Sequence, residues 1–300
     1  MVVISVFFDI DNFCEEFETL LESSPESLLL GKTGTQQGFS RSISLSEVMT
    51  IAVMFHHSHF REFKYYYLLC VQGPWASYFR WLPSYNRFLE LMKEVAIPLY
   101  IFMVATRLAD CTGISFIDST VIDVCDIHRE KQNKVFKGLA KKGKGTMGWF
   151  YGFKLHLVVT ERGEIVNFVL SAGNVDDRNE KVISKLAKDL FGKLIGDRGY
   201  ISKDLVEKLL GQGVELLTKF KKNMKKLPAK LGDAILLRKR AVIESVNDFL
   251  KNTCQIEQSR HRSPINFMVN LLSGLVAYSY IEKKPSMKTY DKNTNMPAII

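Results

Sequence analysis

The chain has 300 residues, 46% of them apolar, and a formal net charge of +9 at pH 7, enough for one large domain or two ordinary ones with a proper core. Residues 1–113 carry 8 Lys/Arg against 12 Asp/Glu while residues 114–300 carry 33 against 20, an asymmetry that favours a polyanion such as nucleic acid as partner of the basic part. Five scattered cysteines (Cys14, Cys70, Cys111, Cys125, Cys254) with no Cys-x-x-Cys exclude a disulfide framework or zinc ribbon and fit a reducing cytosol.

In chain order, "MVVISVFFDIDNF" lacks a basic n-region and meets acids at once, so no signal peptide is expected. "CEEFETLLE" sets Phe17, Leu20 and Leu21 at helical spacing. "SLSEVMTIAVMFHH" places Ser44 three residues before Glu47, a capping box ahead of an apolar run. "LPSYNRFLELMKEV" repeats the device, with Ser84 before Phe88, Leu89, Met92 and Val95. Between them, residues 60–83 are rich in aromatics interleaved with Arg61, Lys64 and Arg80. That pattern suits either a helix-turn-helix-like DNA reader or a bundle burying its aromatics. Residues 1–108 are therefore expected to be a helical region for DNA binding or dimerisation.

After Asp110 the periodicity changes. "GISFIDSTVIDV" alternates and is β-branched, a strand. "WFYGFKLHLVVTERGEIVNFVLSAG" predicts a hairpin turning at Glu161-Arg162-Gly163. Then follow a helix over "NEKVISKLAKDLFG" closed by Gly192, a short buried strand "KLIGDRGY", a helix "SKDLVEKLLGQG", a strand "VELLTKF" and a longer helix "AILLRKRAVIESVNDFLKN". The order predicts an α/β unit with a mixed sheet and helices packed on it, not a doubly wound nucleotide fold. "SPINFMVNLLSGLVAYSYI", residues 263–281, holds Asn266, Asn270, Ser273, Gly274 and Ser279, which suits a buried closing helix and not a membrane span. The catalytic unit is expected over residues 109–283, followed by a polar tail over 284–300.

Three carboxylates stand out in this layout. Asp118 lies in the first strand, Asp197 at the end of the fourth, and Glu244 on the last long helix. If the first and fourth strands are neighbours, the two aspartates project side by side and the helix can bring Glu244 across the sheet edge. Taken alone, Asp197 ahead of Arg198-Gly199 also fits a simple turn, and Glu244 fits a solvated helix face paired with Arg240 at i, i+4. Asp123 and Asp126, toward and beyond the end of the first strand, are alternatives to Asp118.

"FIDST", "YGFKLHLVVTERGEIV", "IGDRGY" and "RKRAVIESVNDFLK", in that order, resemble the DDE transposases of bacterial insertion sequences, and within them the branch named after insertion sequence 982. The resemblance runs over nearly the whole chain and is strongest from about residue 114 to 280. It implies an RNase H-like fold with Asp118, Asp197 and Glu244 as the catalytic, metal-holding triad. It also implies two Mg²⁺ or Mn²⁺ ions, for which converging carboxylates are the required ligands. Asp118, mid-sheet and most rigid, is the expected bridging ligand. Arg240, Glu244 and Lys251 fit the family's Tyr-x-x-Arg-x-x-x-Glu-x-x-x-x-x-x-Lys signature, which implies phosphate contacts by Arg240 and Lys251. Leu237 stands where the family has Tyr, so that phosphate contact is not expected here.

Two basic runs complete the picture. Residues 129–145 hold seven Lys/Arg against one Glu, and residues 219–230 hold six Lys and no acid. Both fall between predicted elements, where Lys137, Lys141, Lys142 and Lys144 of the first and Lys221, Lys222, Lys225 and Lys226 of the second are candidates for sequence-independent phosphate contact. "LGKTG" is not a P-loop, because Glu26 stands where the first Gly is needed. His56, His57 and His59 lack a matching second ligand pair and suit packing. His156 suits a structural role in its strand. Asp176 and Asp177 are expected to cap the next helix, with a supporting place near the metals as the alternative. The expectation is a cytoplasmic, nucleoid-associated DNA transposase, free of the membrane. It would bind its terminal inverted repeats, cut there and join the 3′-OH to target DNA as a homodimer. The alternatives are an RNase H-like structure-selective nuclease without strand transfer, or an inactive DNA-binding relic.

Overall fold

The structure, a computed structural model, describes residues 2–23, 43–145, 148–200, 202–218, 231–257 and 261–287. The run at 219–230 with Lys221, Lys222, Lys225 and Lys226, the "LGKTG" segment and the tail beyond Met287 lie outside the described residues.

The N-terminal part is helical. Helix α1 (Val2–Ser23) begins well before the stretch its periodicity marks, and buries Val6, Ile10 and Cys14, four apart on one face. Helix α2 (Leu45–Phe55) opens on the expected capping box: the Ser44 N–H donates to Glu47 Oε2 at 2.7 Å and the Glu47 N–H to Ser44 Oγ at 3.0 Å. Helix α3 (Phe63–Tyr66) runs into a π-helical turn, Tyr67–Val71. Helix α4 (Tyr85–Glu94) is capped by Ser84, and α5 (Ala96–Phe102) runs into a second π-turn, Met103–Arg107. Several aromatics of residues 60–88 pack inward, Tyr67 against Phe88 at 4.6 Å and Tyr66 edge-on to Trp75 at 6.0 Å, whereas Tyr65, Tyr78 and Trp81 are exposed. Tyr66, Tyr67 and Phe88 are fully buried. The buried rings suit a bundle, while the exposed Tyr65, Tyr78 and Trp81 leave an aromatic outer face, so both readings of this segment keep support.

Among the described residues, six strands form one sheet: β1 (Ile114–Cys125), β2 (Lys141–Gly145), β3 (Gly148–Thr160), β4 (Ile165–Ala172), β5 (Gly192–Gly196) and β6 (Val214–Thr218). β4, β3 and β1 are antiparallel neighbours, and β5 and β6 extend the sheet in parallel from the other edge of β1. This order, three antiparallel strands followed by two parallel ones, is RNase H-like. β2 was not expected: part of the basic run that reads as a connection pairs with β3 from Lys141↔Gly152 to Gly145↔Gly148. Glycine makes it possible, since a Cβ at Gly143 would stand 2.1 Å from the Gly173 carbonyl oxygen.

The helices of this unit are α6 (Glu180–Leu186), α7 (Lys203–Gly211), α8 (Leu231–Arg238), α9 (Ala241–Asn252) and α10 (Pro264–Ser279). Three details depart from expectation. The N-cap of α6 is Asn179, accepting from the N–H groups of Lys181 and Val182, not Asp176 or Asp177. Gly192 does not close α6; it opens β5 at φ 79°, where a Cβ would strike the Gly113 carbonyl. The single long helix is two, broken at Lys239–Arg240.

Alternation along β1 assigns its two faces. Phe116 and Ile122 join a large core with α9, α10 and the N-terminal helices. Ile117 joins a smaller core with Val182, Ile183 and Leu186 of α6 and Leu205 and Leu209 of α7. The apolar helix α10 is central to the larger core, packing on α2, α4, α5 and α9. Among the described residues no helix is long and apolar enough to cross a membrane.

Candidate active site

The parallel pairing of β5 with β1 covers only Ile114–Phe116, whereas β1 continues to Cys125. A notch therefore opens in the sheet beside Asp118, two residues past the last pair. Asp197 follows the final residue of β5 at the rim of this notch, solvent-exposed, its Oδ1 accepting the Arg198 N–H at 2.7 Å. The third wall is α9. Asn247 donates from Nδ2 to Asp118 Oδ2 at 3.2 Å, and Arg240, at the head of the helix, stands 3.9 Å from Asp118 Oδ1. Arg240 also pairs with Glu244 one turn on.

One guanidinium thus bridges two of the three acids. Their charges are felt at Asp118: burial, reinforced by Glu244 and Asp197, pushes its carboxyl up to about 6, with Arg240 and the Ser119 N–H opposing. The structure brings Asp118, Glu244 and Arg240 into contact and sets Asp197 within electrostatic reach. As placed, no three Asp, Glu, His or Cys side chains among the described residues form a ready metal cage.

The remaining candidates fall elsewhere. Lys251 is paired with Glu257 at 3.0 Å, and Glu257 also accepts the Asp123 N–H at 2.9 Å. Burial and Glu257 raise the Asp123 carboxyl, with Lys251 opposing. Asp126 caps the 3-10 turn Ile127–Gln132. Asp176 is held by Arg178 at 3.0 Å. His56 is buried with its Nδ1 on the Cys254 carbonyl. His156, also buried, faces Ser171 Oγ at 2.8 Å from Nε2. Lys137, Lys141, Lys142 and Lys144 are exposed. Lys142 and Lys144 lie over the exposed ring of Trp149 with their Nζ atoms 5.1 and 5.8 Å from its centroid, giving the β2–β3 hairpin a basic, aromatic outer face.

The family model described as the transposase DDE domain matches residues 108–264, more than half of the chain. The chain belongs to that family. The matched span of this DDE transposase runs from the approach to β1 through α9, and so takes in Asp118, Asp197, Arg240 and Glu244. The match is to the domain and does not separate one insertion-sequence branch from another. Among solved structures, piggyBac transposase in a synaptic complex with hairpin DNA aligns over 81% of this chain and 68% of that one, at 10% identity and a TM-score of 0.47. No curated protein matches.

Two contacts to β1 of the DDE transposase, one on each face of the sheet, are not assigned by the sequence. Asn247 lies on the helical face of Arg240 and Glu244, at i+7 and i+3, and that spacing was the available signal. Asp177, expected as a cap, instead accepts from Ser119 Oγ at 2.9 Å and from Lys154 Nζ at 3.1 Å. Nothing in its spacing to β1 announces that contact.

Proposed function

We propose that this DDE transposase cuts DNA at the terminal inverted repeats of its element and joins the freed 3′-OH to target DNA, with Asp118, Asp197 and Glu244 as the catalytic acids. The observation that carries the proposal is the notch beside Asp118. There a half-buried carboxylate from mid-sheet and a carboxylate from a packed helix share one guanidinium, and a carboxylate at a strand end lies within electrostatic reach of the first.

The donor set fits divalent metal. All three ligands are hard carboxylate oxygens, the type that Mg²⁺ and Mn²⁺ take. Burial and neighbouring negative charge leave Asp118 short of positive charge beyond what Arg240 supplies. Two bound ions would activate the attacking water or 3′-OH and stabilise the leaving oxygen. The chain's own residues do the rest. Asn247 orients Asp118 through its carboxylate. Arg240, once released from the acids, has the reach and planar fork to clamp a phosphate at the cut. Lys251 can serve the same strand only by leaving Glu257. The lysines of the β2–β3 hairpin, with Lys137, offer sequence-independent phosphate contact whose affinity falls steeply with salt. Joining two element ends requires both to be held at once, so the active species is a homodimer.

The test is a joining assay. Labelled DNA carrying both flanks of the gene is incubated with the protein, a supercoiled target plasmid and Mg²⁺. Label appearing in the plasmid supports transposition. Cut but unjoined ends would replace the proposal with a nuclease, and bound but intact DNA with a relic.

A further inference from the structure

On the sheet face opposite Asp118, one oxygen gathers the side chains of two strands and a loop. Asp177 sits in the connection from β4 to α6, and its Oδ1 accepts from Ser119 Oγ at 2.9 Å and from Lys154 Nζ at 3.1 Å, with His156 Nδ1 4.0 Å away. Ser119 is the residue after Asp118, and it stands directly opposite His156 in the β1–β3 register, with Lys154 opposite Val121. Lys154 makes a further bond to the Val175 carbonyl at 3.0 Å, fixing the loop that carries Asp177. The strand side of the cluster is sheltered, the His156 side chain being fully buried and that of Lys154 12% exposed, while Asp177 closes it from the rim at 32% exposed.

The location gives the cluster a task. Past Phe116, β1 has lost its β5 neighbour, so the backbone of Asp118 is held by β3 along one edge only. Asn247 and Arg240 restrain the Asp118 carboxylate from one face. From the other face, the Ser119–Asp177–Lys154 tie binds β1 to β3 and to the loop at the same level.

We infer that Asp177 is a positioning residue for the catalytic centre, acting through the Ser119 hydroxyl to fix the segment of β1 that presents Asp118. The inference rests on the reading of Asp118 as a metal-holding acid. Residues that hold a metal ligand in place typically cost about 10- to 100-fold in metal affinity or activity when removed, and that is the size of effect expected here.

The experiment compares wild type, Ser119→Ala, Ser119→Thr, Asp177→Ala and, as control, Asp197→Asn. Mn²⁺ binding is followed by the electron paramagnetic resonance of the free ion, the kcat and KM for DNA cleavage are measured, and thermal unfolding is recorded. Ser119→Ala is expected to weaken Mn²⁺ binding about 10-fold and to lower kcat about 10-fold or more with KM for DNA unchanged. Ser119→Thr, which keeps the hydroxyl, recovers most of the loss, and Asp177→Ala matches or exceeds Ser119→Ala. A Ser119→Ala protein with wild-type Mn²⁺ binding and wild-type kcat, or one altered only in KM, overturns the inference even if Asp177→Ala does not fold. If Asp197→Asn loses Mn²⁺ while Ser119→Ala keeps it, the inference alone fails. If Asp197→Asn binds Mn²⁺ like wild type, the metal-holding triad fails and the inference falls with it.

Discussion

At the scale of single residues, Arg240 occupies the place where positive charge is most needed, against Asp118 and Glu244 together. A bound cation and this guanidinium compete for the same two carboxylates. Arg240→Gln is therefore expected to tighten Mn²⁺ binding several-fold in the absence of DNA while reducing cleavage, a split that titration and a cleavage assay can read on one preparation. Asp118 carries the complementary prediction. Its carboxyl rises from 3.8 to about 6 in the folded chain, so the folded state binds the proton more tightly than the unfolded state does. The ionised group then costs stability as pH climbs from about 4 to 6, levelling off above, and the cost is at most about 3 kcal/mol. Asp118→Asn should unfold at higher temperature than wild type at pH 7.5 and lose that advantage near pH 4, while being inactive throughout. A lower melting temperature for the variant at pH 7.5 would refute this.

Elements determine whether these residues meet. Gly196 ends β5 immediately before Asp197, and a Cβ there would stand 3.0 Å from Ile117 Cγ2 and 3.3 Å from the Tyr200 ring. Gly196→Ala must therefore displace the Ile117 side chain, the Tyr200 ring or the strand end itself. Cleavage is expected to fall 10-fold or more with only a modest drop in melting temperature, and activity near wild type would contradict the role of the strand end. At this scale the sequence is legible where one signal dominates. The alternation of "FIDSTVIDV", the Ser44–Glu47 box and the Glu161–Gly163 hairpin all appear as expected. It is illegible where tertiary contact overrides local preference. "KKGKG" has neither alternation nor β-branching and becomes a strand because β3 offers an edge and Gly143 permits close approach. The break between α8 and α9 has no Gly or Pro to announce it, yet it places Arg240 at the head of a helix aimed at Asp118. Asp177 was invisible as a partner of Ser119 because the two lie 58 residues apart.

Over the whole molecule, one continuous core joins the N-terminal helices, α9, α10 and a face of the sheet. Burial holds His56 and His261 down at about 4, from an ordinary 6.5. The unfolded chain protonates both near pH 6.5, whereas the folded chain resists until about pH 4. Stability should thus be full above about pH 6.5 and decline steadily between 6.5 and 4, by at most about 3 kcal/mol per histidine. Denaturant melts at pH 7.5, 5.5 and 4.5 would detect this, and a flat profile would contradict it. The same architecture explains why the three proposed acids could be named from family resemblance but not from local pattern: Asp118, Asp197 and Glu244 come from a strand centre, a strand end and a helix, each with an ordinary local explanation. Only the sheet order puts the end of β5 beside the continuing β1. The most direct test is cleavage of labelled DNA containing both flanks of the gene, by wild type and by Asp197→Asn, with Mn²⁺ and with EDTA. The account predicts nicks at a terminal repeat that require metal and vanish in the variant; an Asp197→Asn protein that cuts as wild type does would contradict it.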